Sequence, residues 1–180
     1  MAGLPRPIQL YVGRVAIEKN IEGFLETDVP GSKVVVGAGP ARKTLEQRFP
    51  ATHFLGSLHG PDLASAYAAA DVLVFPSRTD TFGLVVIEAL ASGTPVAAYP
   101  VRGPLDIIGA MGRGLGGCAT RIGALDDNLA MAIRVALGAS SRACVEEGQR
   151  YDWERCTDQF LAGLRPSHAA AGPARIITKA

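Results

Sequence analysis

Charge is scarce in this chain. Only 19% of its 180 residues are charged, and 18 Lys and Arg against 17 Asp and Glu leave a formal net charge of +1. That balance removes any bulk electrostatic case for nucleic acid or an anionic membrane, so a basic function has to come from local placement. Cysteine is scarce too. Cys118, Cys144 and Cys156 are odd in number and lack CxxC spacing, which argues against a disulfide framework or a thiolate metal site and for idle thiols in a reducing cytoplasm. His53, His59 and His168 lack metal-ligand spacing and a paired nucleophile or carboxylate, so structural or solvated roles are expected and no metal site is. No apolar run reaches the length of a membrane span, and Met1 to Pro7 contain no signal-peptide core. Nucleophile elbow, Walker loop and zinc motif are missing, and the glycine turn Gly37–Pro40 lacks the GxGxxG fingerprint, which disfavours a nicotinamide-dependent dehydrogenase.

What the chain has is apolar residues, 48% of the total, in short runs that alternate with longer helical patterns. Strands are expected at Ile8–Val12, Lys33–Val36, Thr52–Leu55, Val72–Phe75 and Pro95–Tyr99. The runs Val34-Val35-Val36 and Val72-Leu73-Val74-Phe75 are apolar on both faces, as central strands of a covered parallel sheet must be. Helices are expected at Asn20–Thr27, Ala41–Phe49, Pro61–Ala70 and Thr81–Ala91. Pro61 falls in a first turn, and Ser92-Gly93 followed by Pro95 forms a stop. After Gly109 the pattern weakens to a glycine-rich loop around one short strand (Met111–Gly123). A helix capped by Asp follows at Asp126–Leu137, then a long helix at Cys144–Leu164 with a break near Tyr151-Asp152-Trp153. The pattern predicts one doubly wound α/β domain of Rossmann-like form over residues 1–164, with a frayed tail over 165–180.

In such a sheet, ligands bind beyond the carboxyl ends of the strands, and three segments put polar residues there. In the first, a strand ends at Gly13 and is followed by Arg14, Glu18 and Lys19; two cations at one strand end suit a diphosphate, though a solvated basic loop has the same composition. In the second, Gly37-Ala38-Gly39-Pro40 is a glycine turn that either brings backbone to a ligand or is simply tight. In the third, Ser77-Arg78-Thr79-Asp80-Thr81-Phe82-Gly83-Leu84 leads into an apolar helix, with Asp80 as its expected N-cap. That helix holds one charge, Glu88, expected near packed surroundings and therefore in need of a partner. Either a cation on a neighbouring helix or a polar ligand would serve. Thr81 and Glu88, seven apart, would share a face with roughly 10 Å of rise between them.

In order, these segments resemble the C-terminal, donor-binding half of retaining GT-B glycosyltransferases of the family four or group 1 type. The matching stretches are YVGRVAIEKN (Tyr11–Asn20), VVVGAGP (Val34–Pro40), FLG (Phe54–Gly56), the long run Ala70–Ala98 and YDWERCTDQFL (Tyr151–Leu161). Among subgroups the look is that of bacterial α-mannosyltransferase-like enzymes. The resemblance implies that Arg14 and Lys19 grip the donor diphosphate, that Glu88 holds the nucleotide ribose as the second acid of an E-x7-E motif, and that Phe82, Gly83 and Leu84 face the donor sugar and phosphate. It also implies that Gly37 and Gly39 lie beside the base. Asp80 stands where the family has the first Glu, and Ala38 where an acidic residue is frequent. The implied substrate is a GDP- or UDP-linked sugar, with no metal cofactor. The implied partner is an N-terminal acceptor-binding domain, expected to be absent from this chain. A cytoplasmic location follows, with peripheral membrane association left open. The competing expectation is a non-enzymatic nucleotide or nucleotide-sugar binding module, complete as it stands.

Overall fold

The computed structural model describes residues 1–80, 82–114 and 116–163. Five strands fall where the apolar runs put them: β1 (Ile8–Val12), β2 (Ser32–Val36), β3 (His53–Gly56), β4 (Val72–Phe75) and β5 (Val96–Ala98). A sixth, β6 (Gly123–Leu125), joins at the edge, beginning where the expected loop ends. All pairings are parallel, in the order β3-β2-β1-β4-β5-β6. Because β2 and β4 flank β1, the chain winds outward in opposite directions from it. The crevice between β1 and β4 is therefore the topological switch point of the sheet.

Both sheet faces are covered, which is why the central strands tolerate no polar alternation. Val34, Val35, Val72 and Val74 are fully inaccessible. One face packs against α1 (Ile21–Leu25), α2 (Arg42–Arg48) and α6 (Leu129–Ala136), through Ile21, Phe24, Leu45, Ala132 and Ile133. The other packs against α3 (Gly60–Ala69), α4 (Leu84–Ala91), α5 (Arg102–Ile108) and α7 (Ser141–Gly148), through Tyr67, Val86, Leu90, Ile107 and Cys144. Pro61 does sit in the first turn of α3, and Gly93 ends α4 with a φ of 78°.

Several helix boundaries differ from expectation, each for a local reason. α1 is five residues long and follows a 3-10 turn (Ile17–Lys19), because Asn20 between them adopts a left-handed φ of 53° that neither helix can contain. α4 starts at Leu84, not at Thr81. Gly83 is its N-cap at φ 85°, so Asp80 is not the cap. α6 is capped by Asn128, whose side chain accepts from the Met131 amide; Asp126 instead accepts from the Asn128 amide in the turn before it. The expected long last helix is two, α7 and α8 (Trp153–Gly163), separated at the anticipated break and with α7 beginning earlier at Ser141. α5 corresponds to no expected element; Gly103 and Pro104 lie in its first turn. The tail expected over 165–180 lies outside the described residues. No helix among the described residues is long and apolar enough to cross a membrane.

Candidate functional site

β1 ends at Val12, and the backbone beyond it is held in place from two sides. The Tyr11 hydroxyl donates to the Arg14 carbonyl at 2.9 Å, and the Val15 amide donates to the Ala38 carbonyl at 2.8 Å. Gly13 has to be glycine here: its φ is 150°, and a Cβ would stand 2.9 Å from the Tyr11 hydroxyl. Tyr11 itself is buried. Its phenol is pushed far above the usual range, by burial first and by the Asp80 charge second, so it remains a neutral strut.

The segment after β1 is also tied across the switch point to the segment after β4. Lys19 pairs with Asp80, the Asn20 side chain donates through Nδ2 to the Pro76 carbonyl at 3.1 Å, and the Thr79 hydroxyl donates to the Glu18 carbonyl at 3.5 Å. The left-handed turn at Asn20 aims these groups, and Asn is among the few residues that adopt it at small cost.

Between the two segments lies a cavity of about 460 Å³. Gly13, Arg14, Lys19 and Asp80 line it together with Phe82, Gly83 and Leu84, so seven of the expected site residues meet in one place. Its remaining wall is Tyr11, Val12, Phe75, Ser77 and Val85, which residue-by-residue reading left out. Tyr11 and Val12 adjoin the Gly-Arg pair and could have been named from that adjacency alone.

The expected pair of cations is present, but neither cation is bare. Arg14 pairs with Glu18 one turn on, and Lys19 with Asp80, leaving the four side chains with no net charge. A further positive element is backbone, the start of α4. Leu84 and Val85 open α4, where a helix has no preceding carbonyls for its first amides. The geometry therefore offers an anion two movable cations and a fixed helix start, against an apolar wall.

Three expected members stand elsewhere. Gly37 and Gly39 do not line the cavity; they are required by neighbouring backbone. A Cβ on Gly37 would lie 1.9 Å from the Gly13 carbonyl oxygen, and one on Gly39 would lie 2.3 Å from the Val15 carbonyl oxygen. The close approach that glycine permits is thus between two loops of the same chain. Glu88 is exposed, not packed, and lies outside the cavity, one helical turn beyond Leu84 on the same side of α4. Its carboxylate accepts from the buried Tyr67 hydroxyl on α3, which donates to Glu88 Oε2 at 2.7 Å, in place of the expected cation on a neighbouring helix. Thr81 lies outside the described residues, and α4 starts at Leu84.

Two cysteines and two histidines can be placed among the described residues. Cys144 is buried and its thiol is pushed up to about 12, chiefly by burial; Cys118 is shifted the same way. His53 and His59 are exposed, and no cluster of metal-ligating side chains occurs among the described residues.

Comparison with known proteins places this architecture. The family model described as glycosyl transferases group 1 matches residues 6–137. A sulfoquinovosyl transferase of Arabidopsis thaliana is 35% identical over 169 residues, covering 86% of this chain and 32% of that protein. A GDP-mannose-dependent alpha-mannosyltransferase of Mycolicibacterium smegmatis is 42% identical over 112 residues, covering 61% of this chain and 30% of its own length. Among solved structures, the Anabaena protein HepE in complex with UDP-glucose superposes with a TM-score of 0.64 at 18% identity, over 88% of this chain and 49% of that one. The chain thus spans about a third of the length of these curated relatives.

Proposed function

The chain belongs to the group 1 glycosyl transferases, and from that premise we propose that it is the donor-binding domain of a retaining hexosyltransferase. The observation that carries the reading is the meeting of Arg14, Lys19, Asp80 and the start of α4 around one cavity at the switch point. A nucleoside diphosphate sugar fits that chemistry. Its diphosphate would take Arg14 from Glu18 and Lys19 from Asp80, and would also meet the Leu84 and Val85 amides. Asp80, released from Lys19, could then accept from a sugar hydroxyl, one methylene shorter than the family's usual Glu. The nucleoside would extend past Leu84, where Glu88 could accept from its ribose hydroxyls.

As the glycosidic bond to the diphosphate breaks, negative charge grows on the departing phosphate oxygens. Donors already aimed at that charge stabilise the transition state more than the ground state. Arg14, Lys19 and backbone amides would supply this neutralisation in place of a metal ion. GDP- and UDP-linked sugars are both in scope: one relative is named for GDP-mannose, and one structural neighbour holds UDP-glucose. The acceptor would be held by a second domain across the cleft, so this chain alone should bind donor and transfer little sugar.

Calorimetry on the full chain with GDP, UDP and NAD tests the reading. GDP or UDP should bind, and Lys19→Ala or Arg14→Ala should each weaken binding by about tenfold, the loss of one charge-assisted contact. Binding of NAD with neither GDP nor UDP would overturn it, as would undiminished affinity in folded variants.

A further inference from the structure

Glu88 and Tyr67 form a pair that spans two helices, and the two members are unlike in exposure. Tyr67 is 2% exposed in the core between α3 and the sheet, while Glu88 stands at the surface beyond the cavity. The phenol hydroxyl donates to Oε2 of Glu88 at 2.7 Å. Tyr67 is pinned at its backbone as well, since the buried Thr94 hydroxyl donates to its carbonyl at 2.7 Å from the turn after α4. One side chain thus reaches from a fixed core position to a single oxygen of the Glu88 carboxylate, which has no ion pair among the described residues.

An exposed glutamate on a helix ordinarily samples several rotamers, and freezing it at the moment of binding costs affinity. A carboxylate that already has one oxygen bonded keeps its plane and direction. Its other oxygen, and the second lone pair of the bonded one, remain for a ligand.

We propose that Tyr67 is the positioning residue of Glu88, fixing the plane and direction of the carboxylate so that it meets a vicinal diol, the ribose of a nucleoside diphosphate. The inference rests on the donor-site reading given above and adds to it a residue that makes no contact with the ligand. Burial, with the neighbouring carboxylate adding to it, raises the Tyr67 phenol far above the usual range, so the donor does not switch off across physiological pH.

The test is a thermodynamic cycle on the full chain with Tyr67→Phe, Glu88→Ala and the double variant. Each is titrated with GDP and UDP and with their 2′,3′-dideoxy forms, and thermal unfolding is followed alongside. Tyr67→Phe keeps the ring in the core and removes only the hydroxyl. It should lower affinity for the ribose nucleotide by about fivefold, the worth of one ordinary hydrogen bond. It should change dideoxynucleotide affinity by less than about twofold, and should add no further loss on top of Glu88→Ala. If Glu88→Ala weakens ribose nucleotides and Tyr67→Phe only lowers the melting temperature, the positioning role is overturned while the donor reading stands. Equal losses with ribose and dideoxy ligands in Tyr67→Phe would overturn it too. If folded Glu88→Ala binds both ligand types as the parent does, or neither GDP nor UDP binds the parent, the proposal and the placement of ribose at Glu88 fall together.

Discussion

At the scale of single residues, the site is built as much from atoms that are missing as from side chains that are present. Gly13, Gly37 and Gly39 let the strand-end segments of β1 and β2 lie against each other, and that contact sets where Arg14 emerges. Gly37→Ala would force a Cβ to within 1.9 Å of the Gly13 carbonyl at a φ of 138°, so the two loops must separate. It should cost at least about 3 kcal/mol in chemical denaturation. Gly138→Ala, where the nearest atom to a new Cβ is 3.6 Å away, should change stability by less than about 0.5 kcal/mol. Equal effects would mean the loop contact is not what those glycines serve. The same scale shows why Glu88 was misplaced by pattern alone. An apolar helix around a charge suggests burial, but the hydrophobic residues of α4 that are buried, Val86, Ala89 and Leu90, leave Glu88 on the side facing out. Which helical face meets solvent depends on where the helix begins and what covers it.

At the scale of elements, starts and stops decide the site's shape more than helix propensity does. Gly83 delays α4 by three positions relative to the expected start. The helix amides therefore open beside Phe82 and Leu84, within the cavity wall, and not beside Asp80. Freed from capping, Asp80 becomes the partner of Lys19 and joins the two strand-end segments. The cap of α6 is simpler, and its worth can be measured. Asn128 accepts from the Met131 amide and starts a helix whose Leu129, Ala132, Ile133 and Ala136 are buried. Asn128→Ala should therefore lower stability by about 1 kcal/mol, seen as a lower urea midpoint with an unchanged m-value. A loss of less than about 0.3 kcal/mol would show that packing alone sets that helix start.

At the scale of the whole molecule, two phenols report on the fold from either side of the sheet. Tyr11 and Tyr67 are 3% and 2% exposed, and both are shifted upward with burial as the leading cause. A group whose folded pKa is raised contributes stability that is fully present below its unfolded value, about 10 for tyrosine, and is lost as pH rises toward the folded value. The last tyrosinate absorbance to appear in an alkaline titration should coincide with loss of the helical circular dichroism signal. Complete titration of all phenols in a chain that keeps its helical signal would contradict this. The alternation of apolar strand runs with helical patterns was enough, by itself, to determine a doubly wound parallel sheet. Five strands follow from it, most directly β4, because a strand covered on both faces has to be apolar, and that constraint is local. Arg14 and Lys19 were legible because they lie in the loop and helix start that follow a strand end, and the Phe82-Gly83-Leu84 segment through the family resemblance. Only the tertiary structure decided who faces whom: Lys19 with Asp80, Arg14 with Glu18, Glu88 with Tyr67, and Gly37 with the backbone of Gly13. Those pairings join residues set by strand order and by the exact residue at which each helix begins, and neither quantity is written in any short stretch of chain.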